Sequence, residues 1–284
     1  MKARNLTFSN VALACVMLLS LFSGYATAND VIAPAPSQVA DVSTQLGLLA
    51  GYLESKEYPD SLALIPPPPA PGSAAFTLDE DVARRTFALR GTPRFGLALS
   101  DFDLSFPHAA GTFSCALKAP VTEQDTPRLY RLLRRAMTDV ALSTYAAKNH
   151  YSRQRPFVLN KEPICAPEKQ AELEKDGSYP SGHTAIGWAW ALILTEISPE
   201  QADAILARSR AYGESRNVCN HHWYSDVDWG RFMGAATVAR LHANPAFRAD
   251  LGAAKAELAA VRDKGRNPTR DCSAEAAALG LQPY

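Results

Sequence analysis

Apolar residues recur every three or four positions over much of this chain. Leu129, Leu132, Leu133, Met137 and Val140 trace one such series, and 3.6 residues per turn bring those positions to one face of a helix. Between Thr184 and Thr195 the pattern becomes about a dozen uncharged residues in succession, stopping at Glu196. That run is too short to span a bilayer and predicts a core helix. Helix starts are marked in several places. Thr126-Pro127 puts a cap residue before a first-turn proline, Ser198-Pro199-Glu200-Gln201 adds capping-box spacing, Asn244-Pro245 opens a last long helix toward Arg262, and Thr77-Leu78-Asp79-Glu80 has capping-box spacing of its own. Alternating β-branched runs bounded by hairpin turns are scarce, and no internal repeat is evident. The pattern predicts one mostly α-helical domain.

The N-terminus has a different pattern. Lys2 and Arg4 precede an uncharged run from Val11 to Tyr25, and Ala26-Thr27-Ala28 follows. This is the plan of a secretory signal peptide cut after Ala28. The organisation expected is therefore a signal peptide over 1–28, a leader and proline-rich strap over 29–72, a helical domain over 73–262 with its core at 126–245, and a C-terminal tail over 263–284. The strap contains Ile65-Pro66-Pro67-Pro68-Pro69, which cannot continue a helix and should lie extended.

Charge and cysteine content narrow the function classes. The whole chain carries 29 basic and 29 acidic residues, and cleavage removes two basic ones, leaving 27 against 29. Nothing in that balance points to a nucleic-acid polymer as partner, and no later run reaches membrane-spanning length. Cys115, Cys165, Cys219 and Cys272 remain after cleavage. An even count in an exported chain suggests two disulfides, with three possible connectivities. Cys165–Cys219 with Cys115–Cys272 is preferred, because Cys165 and Cys219 fall in loops beside the motifs that carry the chemistry.

Those motifs number three. In Lys148-Asn149-His150-Tyr151-Ser152-Arg153-Gln154-Arg155-Pro156 the cations Lys148 and Arg155 are two helical turns apart, so a continuous helix would present both on one face, although Pro156 disfavours helix at Arg155. Such a pair suits an anion with several oxygens. In Pro180-Ser181-Gly182-His183 the amides of Ser181, Gly182 and His183 stand at the start of the core helix, where free N–H groups and the helix dipole favour an anion. In Ser215-Arg216-Asn217-Val218-Cys219-Asn220-His221-His222-Trp223-Tyr224-Ser225-Asp226 the spacing of His222 and Asp226 lets the carboxylate take the imidazole Nδ1 proton, leaving Nε2 as a nucleophile, and Arg216 adds a third cation. A metal site built from Cys219, His221, His222 and Asp226 is disfavoured, since neither H-E-x-x-H nor paired C-x-x-C occurs. Gly-Ser-Tyr-Pro-Ser-Gly-His is also not the G-x-S-x-G of a serine-hydrolase elbow. Together the three motifs describe cations and a helix terminus that hold a tetrahedral anion, one histidine to attack it and another to protonate the leaving group, which is metal-free phosphoryl transfer.

Read as Lys148-x6-Arg155-Pro156, Pro180-Ser181-Gly182-His183 and Ser215-Arg216-x5-His222-x3-Asp226, the sequence resembles the three-part signature of the type 2 phosphatidic-acid-phosphatase superfamily. Gly177-Ser178-Tyr179-Pro180-Ser181-Gly182-His183-Thr184 is similar to the class A bacterial non-specific acid phosphatases, which are periplasmic. The resemblance implies an all-α, single-domain helical bundle of the kind shared with the vanadium haloperoxidases. It implies that Lys148, Arg155, Ser181, Gly182 and Arg216 bind phosphate, that His222 forms a phosphohistidine oriented by Asp226, and that His183 is the general acid. It further implies soluble phosphomonoesters as substrates, possible transfer to alcohols, no metal or other cofactor, and a homo-oligomer. A lipid phosphatase, a vanadium haloperoxidase and a plain phosphate-binding protein are the alternatives.

Overall fold

The computed structural model describes residues 48–284, so the expected signal peptide over 1–28 and most of the leader lie outside the described residues. Ten helices make the frame: α1 (Ala74–Thr86), α2 (Pro93–Ser100), α3 (Pro127–Ser143), α4 (Tyr145–Tyr151), α5 (Pro156–Asn160), α6 (Gly182–Ile197), α7 (Ala202–Val218), α8 (Tyr224–Leu241), α9 (Pro245–Asp263) and α10 (Cys272–Leu279), with short helical turns between them. No strand occurs among the described residues, and the all-α expectation holds.

Helix α6 is the centre of the bundle, packed against α3, α7, α8 and α9. Its sequence explains the position: Ala185, Ile186, Ala189, Trp190, Ala191, Ile193, Leu194 and Ile197 are all buried, and a helix apolar around its circumference is stable only when enclosed. Trp190 Nε1 donates to the Leu133 carbonyl at 2.9 Å, tying α6 to α3. On α3, Leu129, Leu132, Leu133, Met137 and Val140 are buried as their spacing predicts.

The contact of α6 with α8 is unusually close because two glycines permit it. A Cβ on Gly230 would lie 2.6 Å from the Ser181 carbonyl oxygen, and one on Gly234 would lie 2.5 Å from that of Ala185. This approach sets the start of α8 beside the start of α6. Both ends carry chemistry-bearing motifs.

Three of the four marked starts hold. Pro127 is the first residue of α3, Asn244 Oδ1 accepts from the amides of Ala246 and Phe247 at the head of α9, and Ser198-Pro199 opens a 3-10 turn that leads into α7. The fourth shifts: Ser73, not Thr77, caps α1, accepting from the Phe76 amide at 3.2 Å. Thr77 lies inside the helix, and Asp79 is turned into the core, where it pairs with Arg153 at 2.7 Å.

The proline-rich segment is extended, and Pro66 contributes its carbonyl oxygen to Tyr179 Oη at 2.8 Å, so the strap touches the loop ahead of α6. Ahead of the strap, Asp139 on α3 accepts from the amides of Tyr52 and Leu53. Burial pushes its carboxyl up to about 6 even though both amides oppose the shift. The disulfides are Cys115–Cys272 and Cys165–Cys219. The first fastens α10, within the segment read from sequence as a tail, to the body of the bundle.

The close α6–α8 contact makes a definite prediction. Gly234→Val should lower stability by about 1–3 kcal/mol, the usual cost of overpacking a dense interface, measured as the shift of the urea unfolding midpoint at unchanged slope. An unshifted midpoint would mean that the two helices separate freely.

Candidate active site

The three motifs converge, but by routes the sequence pattern did not specify. Lys148 and Arg155 do not share a helix. α4 ends at Tyr151, Ser152 adopts left-handed backbone with φ 42°, and Arg155 is the extended residue before α5. Proline at 156 forces that extended geometry on its neighbour. The two cations still meet, because Lys148 Nζ donates to the Gly177 carbonyl at 2.6 Å while Arg155 Nε donates to the carbonyls of Leu173 and Asp176 at 2.9 and 3.1 Å. Both are anchored by the loop that leads into α6. Gly177 is needed there, since a Cβ would lie 2.6 Å from the Lys148 carbonyl oxygen.

Ser181 is the N-cap of α6. Its Oγ accepts from the Thr184 amide at 3.3 Å and from Thr184 Oγ1 at 2.9 Å, and its own amide donates to the Asp226 carbonyl at 2.9 Å. The Ser181 amide is therefore committed within the protein, contrary to the expectation that it faces an anion. With both lone pairs of the hydroxyl occupied, its O–H remains a donor. Gly182 and His183 open the helix, so their amides have no acceptor within it. Lys148 lies against this terminus, its Cε 3.9 Å from where a Gly182 Cβ would be.

His222 precedes α8 rather than lying on it. Asp226 reaches back from the first turn, accepting from the Trp223 amide at 2.9 Å and facing His222 Nδ1 at 3.3 Å. The His222–Asp226 pairing expected from spacing is present, made by a capping turn instead of a helix face. On the other side of the ring, Nε2 lies 3.1 Å from Arg155 Nη1, which also donates to the His221 carbonyl at 3.0 Å. Nδ1–H toward a carboxylate and an Nε2 lone pair toward a guanidinium define one neutral tautomer.

Arg216 is fully buried. Its guanidinium lies 5.4 Å from the Phe102 ring centroid, donates to the Asp101 carbonyl at 3.3 Å, and approaches His221 Nδ1 at 3.2 Å. Burial brings it down to about 10, so it is still a cation at neutral pH. His183 stacks on the same Phe102 ring at 5.5 Å and directs Nε2 to the Phe102 carbonyl at 2.9 Å. Phe102 is thus a shared wall for Arg216, His183 and His221, the last at 4.9 Å. No local sequence feature marked it.

Electrostatics follow from crowding. His183, His221 and His222 are all held well below the ordinary histidine value, first by burial and then by Arg216 for His183 and His221 and by Arg155 for His222. The resting cluster therefore holds three cations among neutral imidazoles. Cys219, weighed above as a metal ligand, is committed to its disulfide with Cys165. Cavities of about 380 and 370 Å³ open along α7, but neither is lined by Lys148, Arg155, His183 or His222. Chemistry, not volume, identifies the site.

The side chains that hold the three motifs in place lie mostly outside them. Arg153 donates to Asp226 Oδ1 at 2.6 Å, to Ser225 Oγ at 2.8 Å and to Asp79 Oδ2 at 2.7 Å, and Asp79 accepts in turn from the Ser225 amide and hydroxyl, both at 2.7 Å. This joint binds α1, the loop before α5 and the start of α8. Asp101 performs a similar task behind Arg216, its carboxylate taking Arg208 and the Ser215 hydroxyl. Arg153 was visible inside the first motif, but Asp79 is 74 residues away from it, and only the fold pairs them.

Residues 132–249 match the model of the PAP2 superfamily. The chain is 42% identical over 246 residues to the non-specific acid phosphatase of Providencia stuartii, an alignment that covers 86% of this chain and 98% of that protein. It is 40% identical to the non-specific acid phosphatase of Salmonella typhimurium, over 72% of this chain and 82% of that one, and 39% identical to the acid phosphatase of Zymomonas mobilis, over 74% and 79%. The chain belongs to the non-specific acid phosphatase family within the PAP2 superfamily.

The Arg153 joint yields the prediction for this site. Arg153→Met leaves Asp79 and Asp226 as buried carboxylates without their cation, and stability should fall by about 3–5 kcal/mol, read from chemical denaturation. A loss below about 1 kcal/mol would mean that the two carboxylates find other partners.

Proposed function

We propose that this protein is a metal-independent acid phosphatase that hydrolyses a broad range of soluble phosphate monoesters through a phosphohistidine on His222. The observation that carries the reading is the His222 ring, fixed through Nδ1 by Asp226 with its Nε2 lone pair turned toward Arg155. A lone pair held among cations is poised for a dianionic phosphoryl group, and a proton on that nitrogen would abolish it. Burial beside Arg155 and Lys148 keeps the ring unprotonated.

In this reading Lys148, Arg155 and Arg216 take the phosphate oxygens together with the Ser181 hydroxyl and the Gly182 amide. Charge on the phosphoryl group then meets fixed donors in a site shielded from water, the arrangement that supplies most of the acceleration in phosphoryl transfer. His222 Nε2 attacks phosphorus, the P–O bond to the leaving group breaks, and His183 gives its proton to the departing alkoxide. Because His183 Nε2 is engaged by the Phe102 carbonyl, Nδ1 is the nitrogen that delivers this proton. Asp226 stabilises the positive charge that develops on His222. Water then attacks phosphorus as the P–N bond breaks, its proton passes to His183, and His183 gives that proton up to solvent as phosphate leaves, restoring the neutral resting site. An alcohol in place of water gives phosphotransfer by the same step.

The free site disfavours a proton on His183, since burial and Arg216 both oppose it. A bound phosphate dianion offsets those cations and restores the proton, so the acid is armed by the substrate itself. Disulfides and the sequence of the first 28 residues fit export, and the periplasm is the compartment proposed. No helix among the described residues is long and apolar enough to cross a membrane, which fits soluble substrates, and a homo-oligomer is part of the same proposal.

The deciding experiment is p-nitrophenyl phosphate hydrolysis at mildly acid pH in excess EDTA, comparing wild type with His222→Ala. Activity should survive the chelator and fall on the order of 10³-fold or more in the variant. Loss of wild-type activity to EDTA would return the metal reading, and phosphate binding without turnover would indicate a binding protein.

A second expectation concerns pH. With an alkyl phosphate, kcat should decline as pH rises through the value at which His183 loses its proton in the complex, and His183→Asn should cost about 10²–10⁴-fold. With p-nitrophenyl phosphate, whose leaving group departs unprotonated, the alkaline decline should be shallower. Identical pH profiles for the two substrates would remove His183 from the acid role.

A further inference from the structure

Asp176 has no part in the mechanism above, yet its carboxylate sits on the two cations assigned to phosphate. Oδ2 accepts from Arg155 Nη2 at 2.8 Å and from Lys148 Nζ at 3.4 Å. We propose that Asp176 is an internal counter-ion of the resting site, and that phosphate binds by displacing this carboxylate from Lys148 and Arg155. The proposal rests on the reading of those two residues as phosphate ligands.

Counting donors gives the first argument. Arg155 has five N–H groups and Lys148 three. Arg155 Nε is shared by two carbonyls, Nη1 serves the His221 carbonyl and His222 Nε2, and Nη2 serves Asp176. That leaves one N–H on the guanidinium. Lys148 gives one N–H to the Gly177 carbonyl and one to Asp176, which also leaves one. A second phosphate bond from Lys148 must take over the donor held by Asp176 or by the Gly177 carbonyl, and a second from Arg155 the donor held by Asp176 or by His222 Nε2.

Electrostatics give the second. Lys148 and Arg155 are 5% and 3% exposed, and two adjacent cations removed from water need an anion nearby. Asp226 is already taken by Arg153 at 2.6 Å and Asp101 by Arg208. Among the described residues, Asp176 is the carboxylate in an ion pair with Lys148 and with Arg155. Burial alone would raise its carboxyl, but these cations outweigh burial and hold it below the usual range, so it stays an anion in mild acid.

Location gives the third. The Asp176 side chain is 39% exposed, far more than either cation. It therefore lies on their solvent side and can leave by rotation of its own side chain. Its backbone need not move: the Asp176 carbonyl is held by Arg155 Nε, and the Gly177 carbonyl by Lys148.

A tethered carboxylate competes with every incoming anion at an effective concentration of roughly millimolar order. The apparent dissociation constant is the intrinsic one divided by the fraction of time the donors are uncovered. The same contact, re-formed after hydrolysis, displaces the product phosphate.

The test is titration of the full protein with inorganic phosphate by calorimetry at one fixed mildly acid pH, for wild type, Asp176→Asn and Asp176→Ser, with thermal melts as the check of folding. The expected result is a phosphate dissociation constant about tenfold lower in both variants. Unchanged or weaker phosphate binding in folded variants, beside normal wild-type binding, would overturn the proposal and make Asp176 a positioning residue for Lys148 and Arg155. Failure of both variants to fold would overturn it too, since the carboxylate would then be a structural anchor. Absence of phosphate binding by the wild type would overturn the phosphate-site reading itself, and the counter-ion with it.

Discussion

Three cations, Lys148, Arg155 and Arg216, are withdrawn from water within one cluster, and the rest of the structure answers to that constraint. Like charges in a medium of low polarity repel strongly, and each also loses its hydration. The fold meets both costs with groups drawn from distant elements. Backbone carbonyls of Leu173, Asp176, Gly177 and His221 take Lys148 and Arg155, the Asp101 carbonyl and the Phe102 ring take Arg216, and Asp176 lends its charge on the open side.

That arrangement explains why the histidines are neutral. Burial first, and then the charge of the cations beside them, hold His183, His221 and His222 all low. A neutral ring is what a nitrogen nucleophile requires, whereas an acid needs the proton back. For the roles proposed above, the same field suits His222 at rest and His183 only after an anion has entered. One electrostatic environment separates the two roles in time.

Rigidity comes from a second layer of ion pairs. Arg153 ties Asp226 to Asp79 on α1, and Arg208 ties Asp101 to α7. Glycines at 230 and 234 bring the backbones of α6 and α8 within reach, so the Ser181 amide can bond the Asp226 carbonyl directly. A catalytic group held this way is placed by backbone, with little side-chain freedom left to lose.

Local sequence determined a good deal here. Helical spacing and capping residues gave α3, α6 and α9, because those signals act within a turn or two of the chain. The motifs gave Lys148, Arg155, Ser181, Gly182, Arg216, His222 and Asp226 with His183, since each stretch carries its chemistry within about a dozen residues. Tertiary structure alone decided how they meet. It brought Lys148 and Arg155 together although they lie on separate elements, moved the cap of α1 from Thr77 to Ser73, and committed the Ser181 amide to Asp226. It also supplied Asp101, Phe102 and Asp176, which no pattern marked, and turned Asp79, named only within a capping pattern, into the partner of Arg153. The physical reason is range: a cap or a helix face is settled by neighbours in sequence, whereas the partner of a buried charge is whichever group the packed chain brings to it.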